Sequence, residues 1–181
     1  MNPNPPDRAD ATTQTALLTE SGYAADMLQL VGFHVGGEEF CLDIHRVQEI
    51  IRFQNLTRVP NSPAFIEGVM NLRGKIVPVV DLRKWFGLEE AVPGKDSRIV
   101  VVEAKSAILG FVVDSVSEVL RIPSSVIELL PRIGSGDREY VAGVAKVGER
   151  LFIVLNVDRL ISDAEEHAAA ELVQNQRTGI A

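Results

Sequence analysis

The feature of this sequence that most constrains its fold is an internal duplication of short apolar segments. At an offset of 69 residues, Val47-Gln-Glu-Ile-Ile51 aligns with Val116-Ser-Glu-Val-Leu120, and the alternating apolar positions before each segment align as well. At an offset of 75 residues, 75–82 aligns with 150–157. Because self-similarity at a fixed spacing is the signature of a repeated structural unit, the chain is expected to contain one such unit twice.

Each copy is built from short apolar runs that are rich in β-branched residues and separated by glycine or proline. Runs of this composition predict β-strands, and many short strands at close spacing are typical of barrels and sandwiches. The fold class is therefore predicted as all-β, with few helices. The expected strands are 28–35, 39–44, 47–52, 66–72 and 75–80 in the first copy, and 98–103, 108–114, 116–122, 141–147 and 150–155 in the second.

Each copy also ends in a predicted helix. Asp81 and Asn156 are residue types that commonly cap helix N-termini, because their side chains accept hydrogen bonds from the first backbone N–H groups. The first helix is expected to end before Gly87, and the second to cover 156–173 with one apolar face docked. Residues 174–181 are expected to fray.

One folded unit is predicted at 27–173. Residues 1–26 are polar, proline-rich and without periodicity, so they are expected to form a disordered tail. Within the folded unit, a first subdomain is expected at about 38–95 and a second at about 96–155. The segments expected to complete the packing are 27–37 and 156–173.

The charge and composition of the chain exclude several kinds of partner. A formal net charge of -7 and a pI of about 5.0 argue against binding to a nucleic-acid backbone, which requires a basic face. No apolar run is long enough for a membrane helix and no signal peptide is recognisable, so no membrane insertion and a cytoplasmic location are expected. The single cysteine, Cys41, lies among apolar residues and is interpreted as a small buried side chain.

Motifs for catalysis and for metal or cofactor binding are incomplete. The segment 68–75 resembles a phosphate-binding loop, but one residue too many separates its glycines, and isoleucine follows the lysine. His34, His45 and His167 lack the spacing of zinc ligands, and no serine lies in a nucleophile elbow. The sequence therefore predicts a protein without catalytic residues, metal or cofactor.

Two charged residues are embedded in the strand patterns. Glu49 lies within the predicted strand 47–52, and Arg73 closes the predicted strand 66–72. Charged residues of this kind are rare in protein cores. Either both side chains simply alternate outwards, or they form a charged pair on a binding face that orients a partner.

Residues 71–87, Asn-Leu-Arg-Gly-Lys-Ile-Val-Pro-Val-Val-Asp-Leu-Arg-Lys-Trp-Phe-Gly, resemble the signature of the CheW family of bacterial chemotaxis coupling proteins. The resemblance covers roughly 27–165. It implies two SH3-like five-stranded barrels packed together, with short helices and a C-terminal helix, in agreement with the duplication. The other segments that carry it are 44–50, 57–68, 110–119 and 140–143.

The resemblance further implies a non-enzymatic adaptor that is recruited to membrane-associated receptor arrays. Such an adaptor links the cytoplasmic tips of chemoreceptors to the regulatory domain of the histidine kinase CheA, in rings of coupling protein and kinase domain. A coupling module of a parallel pathway that controls pili, development or second messengers is the alternative. The implied receptor-binding residues are Val47, Glu49, Arg73, Val119 and Gly143, and the implied kinase-binding residue is Gly68.

Receptor tips in this family are helical hairpins, which suggests how the implied residues would act. Val47 and Val119 are expected to form an apolar groove for a helix, while Glu49 and Arg73 set its register. The sequence departs from the family pattern at Trp85, where a polar or basic residue is usual. Trp85 is expected either to cover the seam between the barrels or to add a contact surface.

Overall fold

The structure is a computed structural model that describes residues 26–104, 107–131 and 140–178. The predicted tail therefore lies outside the described residues, apart from residue 26. The strands are β1 Met27–Val35, β2 Glu38–Asp43, β3 Val47–Arg52, β4 Ile66–Leu72, β5 Lys75–Asp81, β6 Arg98–Ala104, β7 Ala107–Val113, β8 Ser115–Pro123, β9 Ile127–Glu128, β10 Val141–Val147 and β11 Arg150–Leu155. The helices are α1 Leu82–Trp85 and α2 Val157–Thr178, and 3-10 turns lie at Ile44–Arg46 and Ser124–Val126.

The predicted all-β class is confirmed, and each of the ten predicted strands is present to within one residue at either end. Strand β9 was not predicted. It has only two residues, which is too short for a periodic pattern to be recognised.

The described strands form two sheets with matching topology. One sheet has the order β8-β1-β2-β11-β10-β9 and the other has the order β3-β6-β7-β5-β4. All neighbours are antiparallel except two pairs, β2 with β11 and β5 with β7. In the sequence alignment, β1 to β5 correspond in order to β6, β7, β8, β10 and β11. When each strand is replaced by its counterpart, the strand order of one sheet becomes that of the other, except that β9 has no counterpart.

The two sheets do not follow the predicted division of the chain at residues 95 and 96. Strands β6 and β7, assigned to the second subdomain, pair with β3 and β5, whereas β1 and β2 pair with strands of the second half. The chain passes from one sheet to the other at the 3-10 turn Ile44–Arg46 between β2 and β3, and it returns only between β7 and β8. Apolar periodicity indicates where strands lie, but it does not specify their partners.

The fold has three apolar cores, one within each sheet and one between the sheets. Each sheet encloses a core of its own, around Phe152 in the six-stranded sheet and around Val77 in the five-stranded sheet. The largest core lies between the sheets and includes Phe33, Phe111 and Leu160 of helix α2. We refer to the two sheets with their own cores as the first barrel (β3–β7) and the second barrel (β1, β2 and β8–β11).

Cys41 belongs to the core of the second barrel and is fully buried, as predicted. Burial raises the pKa of its thiol to about 12, because the thiolate would be desolvated there. The thiol is therefore inert at neutral pH.

Both predicted helix caps are present. The Asp81 carboxylate accepts a hydrogen bond from the Arg83 backbone N–H at 2.8 Å, and the Asn156 side chain accepts one from the Arg159 N–H at 3.1 Å. Helix α2 reaches Thr178, five residues beyond the predicted end at 173, and the last part of the segment expected to fray, 179–181, lies outside the described residues. Residues 174–178 contain no glycine or proline that would stop the helix before Gly179.

Trp85 lies at the junction between the barrels and helix α2. Its ring makes edge contacts with Phe65 before β4 at 4.7 Å, with Tyr140 before β10 at 6.3 Å, and with His167 of α2 at 5.2 Å between centroids. The side chain is half-buried and packs against the central core. Of the two roles expected for Trp85, this geometry supports covering of the seam.

Candidate functional site

The turn between β4 and β5 positions Arg73. Leu72 pairs with Lys75 across the hairpin, so the turn consists of Arg73 and Gly74. Both have left-handed backbone, with φ of 52° and 83°. Two-residue hairpin turns favour this conformation, and the Asn71 side chain supports it by accepting a hydrogen bond from the Gly74 N–H at 2.9 Å.

A left-handed backbone is unfavourable for arginine, and costs about 1–2 kcal/mol relative to ordinary conformations. The equivalent position in the β10–β11 turn is Gly148, with φ of 63°. Because glycine adopts this conformation without strain, the first barrel keeps an arginine where the fold itself favours glycine.

Glu49 on β3 contacts Arg73. An Nη2 group of Arg73 donates to Oε1 of Glu49 at 3.2 Å. The Arg73 side chain is 81% exposed and that of Glu49 is 30% exposed. Exposed ion pairs contribute only about 0–1 kcal/mol to stability. The two predicted residues are thus neighbours on the surface.

An open depression lies beside this ion pair. Its floor is apolar, and its polar rim comes from β3 and the β4–β5 turn. The floor consists of Leu72, Val77 and Ile108, and the rim consists of Gln48, Glu49, Arg73 and Lys75. Val77 belongs to the core of the first barrel, so the depression opens directly above that core. Apart from Glu49 and Arg73, the sequence did not identify these residues, because β3, β5 and β7 are distant in the chain.

Val47 and Val119 lie on different sheets, at the edge strands β3 and β8. Val47 is half-buried and packs against the central core, whereas Val119 is 53% exposed. The residue equivalent to Val119 in the duplication is Ile50, which is 40% exposed. On β3, Ile50 therefore contributes more than Val47 to the apolar surface of the strand. The sequence did not indicate this difference.

Gly68 and Gly143 are equivalent positions in β4 and β10, and both lie at irregularities in strand pairing. A Cβ atom at Gly68 would lie 2.6 Å from the carbonyl oxygen of Thr57, and one at Gly143 would lie 2.7 Å from that of Glu128. Such distances leave no room for a side chain. The close backbone contacts therefore require glycine at both positions. The alignment of the two glycines in the duplication could have indicated this requirement.

Ion pairs around helix α1 complete the surface near Gly68. Lys84 donates to Glu67 at 2.8 Å. Arg83 forms a two-pronged contact with Asp114 at 2.9 and 2.8 Å, and Asp114 also accepts from the Gly36 N–H at 2.7 Å. Arg83 thereby ties the end of β5 to the end of β7. The hydrogen bond from Arg83 to Asp114 also raises the pKa of Arg83, so the guanidinium stays charged.

The histidines have local partners. His45 contacts Asp43 at 2.7 Å, His34 lies 3.5 Å from Glu39, and His167 contacts the backbone carbonyl of Asp163. Among the described residues, no group of three His, Cys, Asp or Glu side chains could hold a metal ion. In the same part of the chain, no helix has the length and apolar character needed to cross a bilayer.

These features define a class of protein, a duplicated double-barrel β scaffold that presents an exposed charged pair beside an open depression. Comparison with known proteins identifies the family. The model of the CheW-like domain matches residues 29–165. The chain therefore belongs to the CheW-like family.

Individual relatives agree with this assignment. A probable chemotaxis protein CheW of Rhizobium etli is 33% identical over 142 residues, which cover 78% of this chain and 92% of the relative. The chemotaxis protein CheW of Klebsiella aerogenes is 37% identical, with 74% and 81% covered. The crystal structure of the scaffolding protein TtCheW from Thermoanaerobacter tengcongensis superposes with a TM-score of 0.68 at 39% identity, and covers 72% of this chain and 89% of that one. Proteins of this family are scaffolds and adaptors, so the chain is an adaptor and not an enzyme.

Proposed function

We propose that this adaptor couples the cytoplasmic tips of chemoreceptors to the regulatory domain of the histidine kinase CheA in membrane-associated arrays. The observation that carries the proposal is Arg73, an exposed arginine held in a strained turn beside an apolar depression. Strain at a surface position persists only where the surrounding structure imposes it, and such positions are often functional.

The receptor is proposed to bind the face that carries Arg73 and Glu49. A helical receptor tip presents apolar side chains at intervals of three and four residues, and such a helix requires an apolar surface with a polar border. The open depression beside Arg73 supplies apolar surface of this kind, and Val119 is an exposed apolar residue on β8 of the other sheet. Gly143 contributes to receptor binding indirectly, because its lack of a side chain lets Glu128 of β9 approach β10 closely.

The kinase is proposed to bind the surface around Gly68. This glycine leaves room for the segment at Thr57 to pair with β4. Thr57 and Val69 exchange backbone hydrogen bonds there, at 2.9 and 2.8 Å. The regulatory domain of the kinase shares the double-barrel fold in this family. A barrel-to-barrel contact would therefore join two similar surfaces and could be repeated to build a ring.

Co-sedimentation with receptor-containing membranes and pull-down with the kinase regulatory domain test the proposal together. The substitution Arg73→Glu is expected to abolish receptor co-sedimentation and to leave kinase binding unchanged. Lys146→Glu is a matched control, since it makes the same charge change on the exposed hairpin of the second barrel. If the wild-type chain binds neither partner at concentrations on the order of tens of micromolar, the coupling role is wrong.

A further inference from the structure

An ion pair lies at each place where the described chain crosses from one sheet to the other. The chain enters the first barrel at the 3-10 turn Ile44–Arg46 and returns to the second barrel at Asp114, between β7 and β8. Arg46 pairs with Asp158 of helix α2 at 2.8 Å, and Asp114 pairs with Arg83 of helix α1 at 2.8 Å. We refer to these two contacts as the crossover ion pairs.

The duplication relates the two crossover ion pairs, but with their charges reversed. Arg83 and Asp158 are equivalent at the offset of 75 residues, and each is the second residue of its helix. Asp114 aligns at the offset of 69 residues with His45, which is next to Arg46. The helix thus carries the basic residue in one pair and the acidic residue in the other. What the two crossings share is an ion pair to the following helix, whichever residue carries each charge.

Asp114 joins segments of both barrels. Its carboxylate accepts hydrogen bonds from Arg83 at 2.9 and 2.8 Å, and from the Gly36 N–H in the β1–β2 turn at 2.7 Å. Its own backbone N–H donates to the carbonyl of His34 on β1 at 2.9 Å. Arg83 also donates to the carbonyl of Glu89, beyond α1, at 2.8 Å. One carboxylate therefore ties the end of the first barrel to the first hairpin of the second.

The pair between Arg46 and Asp158 has a single contact. Oδ2 of Asp158 accepts from Nη2 of Arg46, whereas Oδ1 is buried and has no hydrogen-bond partner among the described residues. Removing one partner of a buried or partly buried ion pair leaves the other charge uncompensated, which is unfavourable. The charge of Asp158 therefore depends on Arg46 for its compensation.

The central core holds the barrels together, but apolar contacts alone do not fix an angle, because the hydrophobic effect is non-directional. Charge-assisted hydrogen bonds, and two-pronged arginine contacts in particular, add geometric specificity. We propose that the two crossover ion pairs set the angle between the barrels. Arg73 lies on the first barrel and Val119 on the second. Resting on the proposed function, the angle therefore also sets how the adaptor presents its receptor-binding residues.

The distance between two spin labels measures this angle. The labels are attached at Lys75→Cys on β5 of the first barrel and at Lys146→Cys on β10 of the second, both of which are exposed strand positions. Cys41 does not react because it is fully buried. Dipolar electron paramagnetic resonance then gives the distribution of distances between the barrels.

A charge swap tests the proposal directly. Arg46→Asp and Asp158→Arg each place like charges at the crossing, and each is expected to shift and broaden the distance distribution. The two substitutions together recreate an ion pair with the polarity of the other crossing, and are expected to restore the wild-type distribution. Stability should recover less than the angle, since an arginine in the first turn of a helix is unfavourable. Arg46→Gln removes the charge more mildly and replaces the reversals if either prevents folding.

Glu67→Gln is the matched control. It removes the contact from Lys84 to Glu67 at 2.8 Å, which joins α1 to β4 of the first barrel without reaching the second. Its side chains are 20% and 23% exposed, so it is no more accessible than the crossover ion pairs. The control is expected to leave the distance distribution unchanged. If folded Arg46 and Asp158 variants keep the wild-type distribution, or if the charge swap does not restore it, the proposal is wrong.

Receptor co-sedimentation measures the consequence for the adaptor. It is expected to fall in the single charge reversals and to recover in the charge swap. Normal co-sedimentation of single variants whose distances have changed would show that the receptor does not depend on the angle. If wild type itself does not co-sediment, the coupling proposal fails, while the distance measurement still decides the role of the crossover ion pairs.

Discussion

Arg73 and Gly148 occupy equivalent positions at the first residue of the two hairpin turns, and both have left-handed backbone, with φ of 52° and 63°. A positive φ is thus adopted once by glycine, which tolerates it freely, and once by arginine, for which it is strained. Stability and binding should therefore respond in opposite directions to a change at Arg73.

Arg73→Gly is expected to leave the free energy of unfolding unchanged or to raise it by up to about 1 kcal/mol. Relief of the left-handed strain is partly offset by the greater chain entropy of glycine. Receptor binding should fall because the guanidinium is gone. Urea unfolding and receptor co-sedimentation measure the two effects on one preparation. Full receptor affinity in this variant would contradict a binding role for Arg73.

Gly68→Ala and Gly143→Ala are expected to destabilise the fold by about 1–3 kcal/mol each, as overpacked positions do. The added methyl group would collide with a backbone carbonyl at 2.6 or 2.7 Å, which a side-chain rotation cannot relieve. Thermal or urea unfolding checks this. Gly94→Ala is the matched control, since no atom lies within 4 Å of its added Cβ. Binding defects at Gly68 or Gly143 without loss of stability would show that these glycines contact the partners directly.

The strands and both helix caps could be predicted because they depend on local sequence. Alternating apolar residues identify a strand, and Asp81 and Asn156 cap helices through atoms two or three residues away. Strand partners are set by packing between distant segments, so the exchange of β6 and β7 into the first barrel was missed. Local patterns carry no information about which barrel a strand joins.

The candidate site was predicted only in part, for a related reason. Glu49 and Arg73 could be singled out because charged residues are unusual within apolar strands. The depression beside them is lined by residues of β3, the β4–β5 hairpin and β7, which are distant in the chain, so no local pattern could indicate it.

Arg150 of β11 donates hydrogen bonds to Glu39 of β2 and to Glu118 of β8, and this cluster predicts a specific acid response. The hydrogen bond from Arg150 lowers the pKa of Glu39 below its ordinary value of 4.5. Because the folded pKa is depressed, the stabilisation is complete above pH 4.5 and is lost as pH falls through the folded value. Unfolding midpoints of wild type and Glu39→Gln should therefore differ at neutral pH and converge below pH 4.5. A difference that persists unchanged into acid would rule out the ion pair as its source.

The aromatic junction gives the last prediction. Trp85 Nε1 is buried and has no hydrogen-bond partner among the described residues, which is unfavourable for a polar group. Trp85→Phe removes this group and keeps an aromatic ring against Phe65, so its stability should lie close to that of wild type. Trp85→Ala also removes the ring and leaves a cavity at the seam, and should destabilise the fold by about 3 kcal/mol or more.

Binding separates the two roles considered for Trp85. If the ring only covers the seam, Trp85→Phe binds receptor and kinase as wild type does, while Trp85→Ala loses binding only in proportion to its loss of folded protein. Helix α2 should loosen in Trp85→Ala, because its contact from His167 to the ring is lost. Faster amide exchange along the helix would report this. A stable Trp85→Phe variant that nonetheless fails to bind one partner would instead place Trp85 in a contact surface.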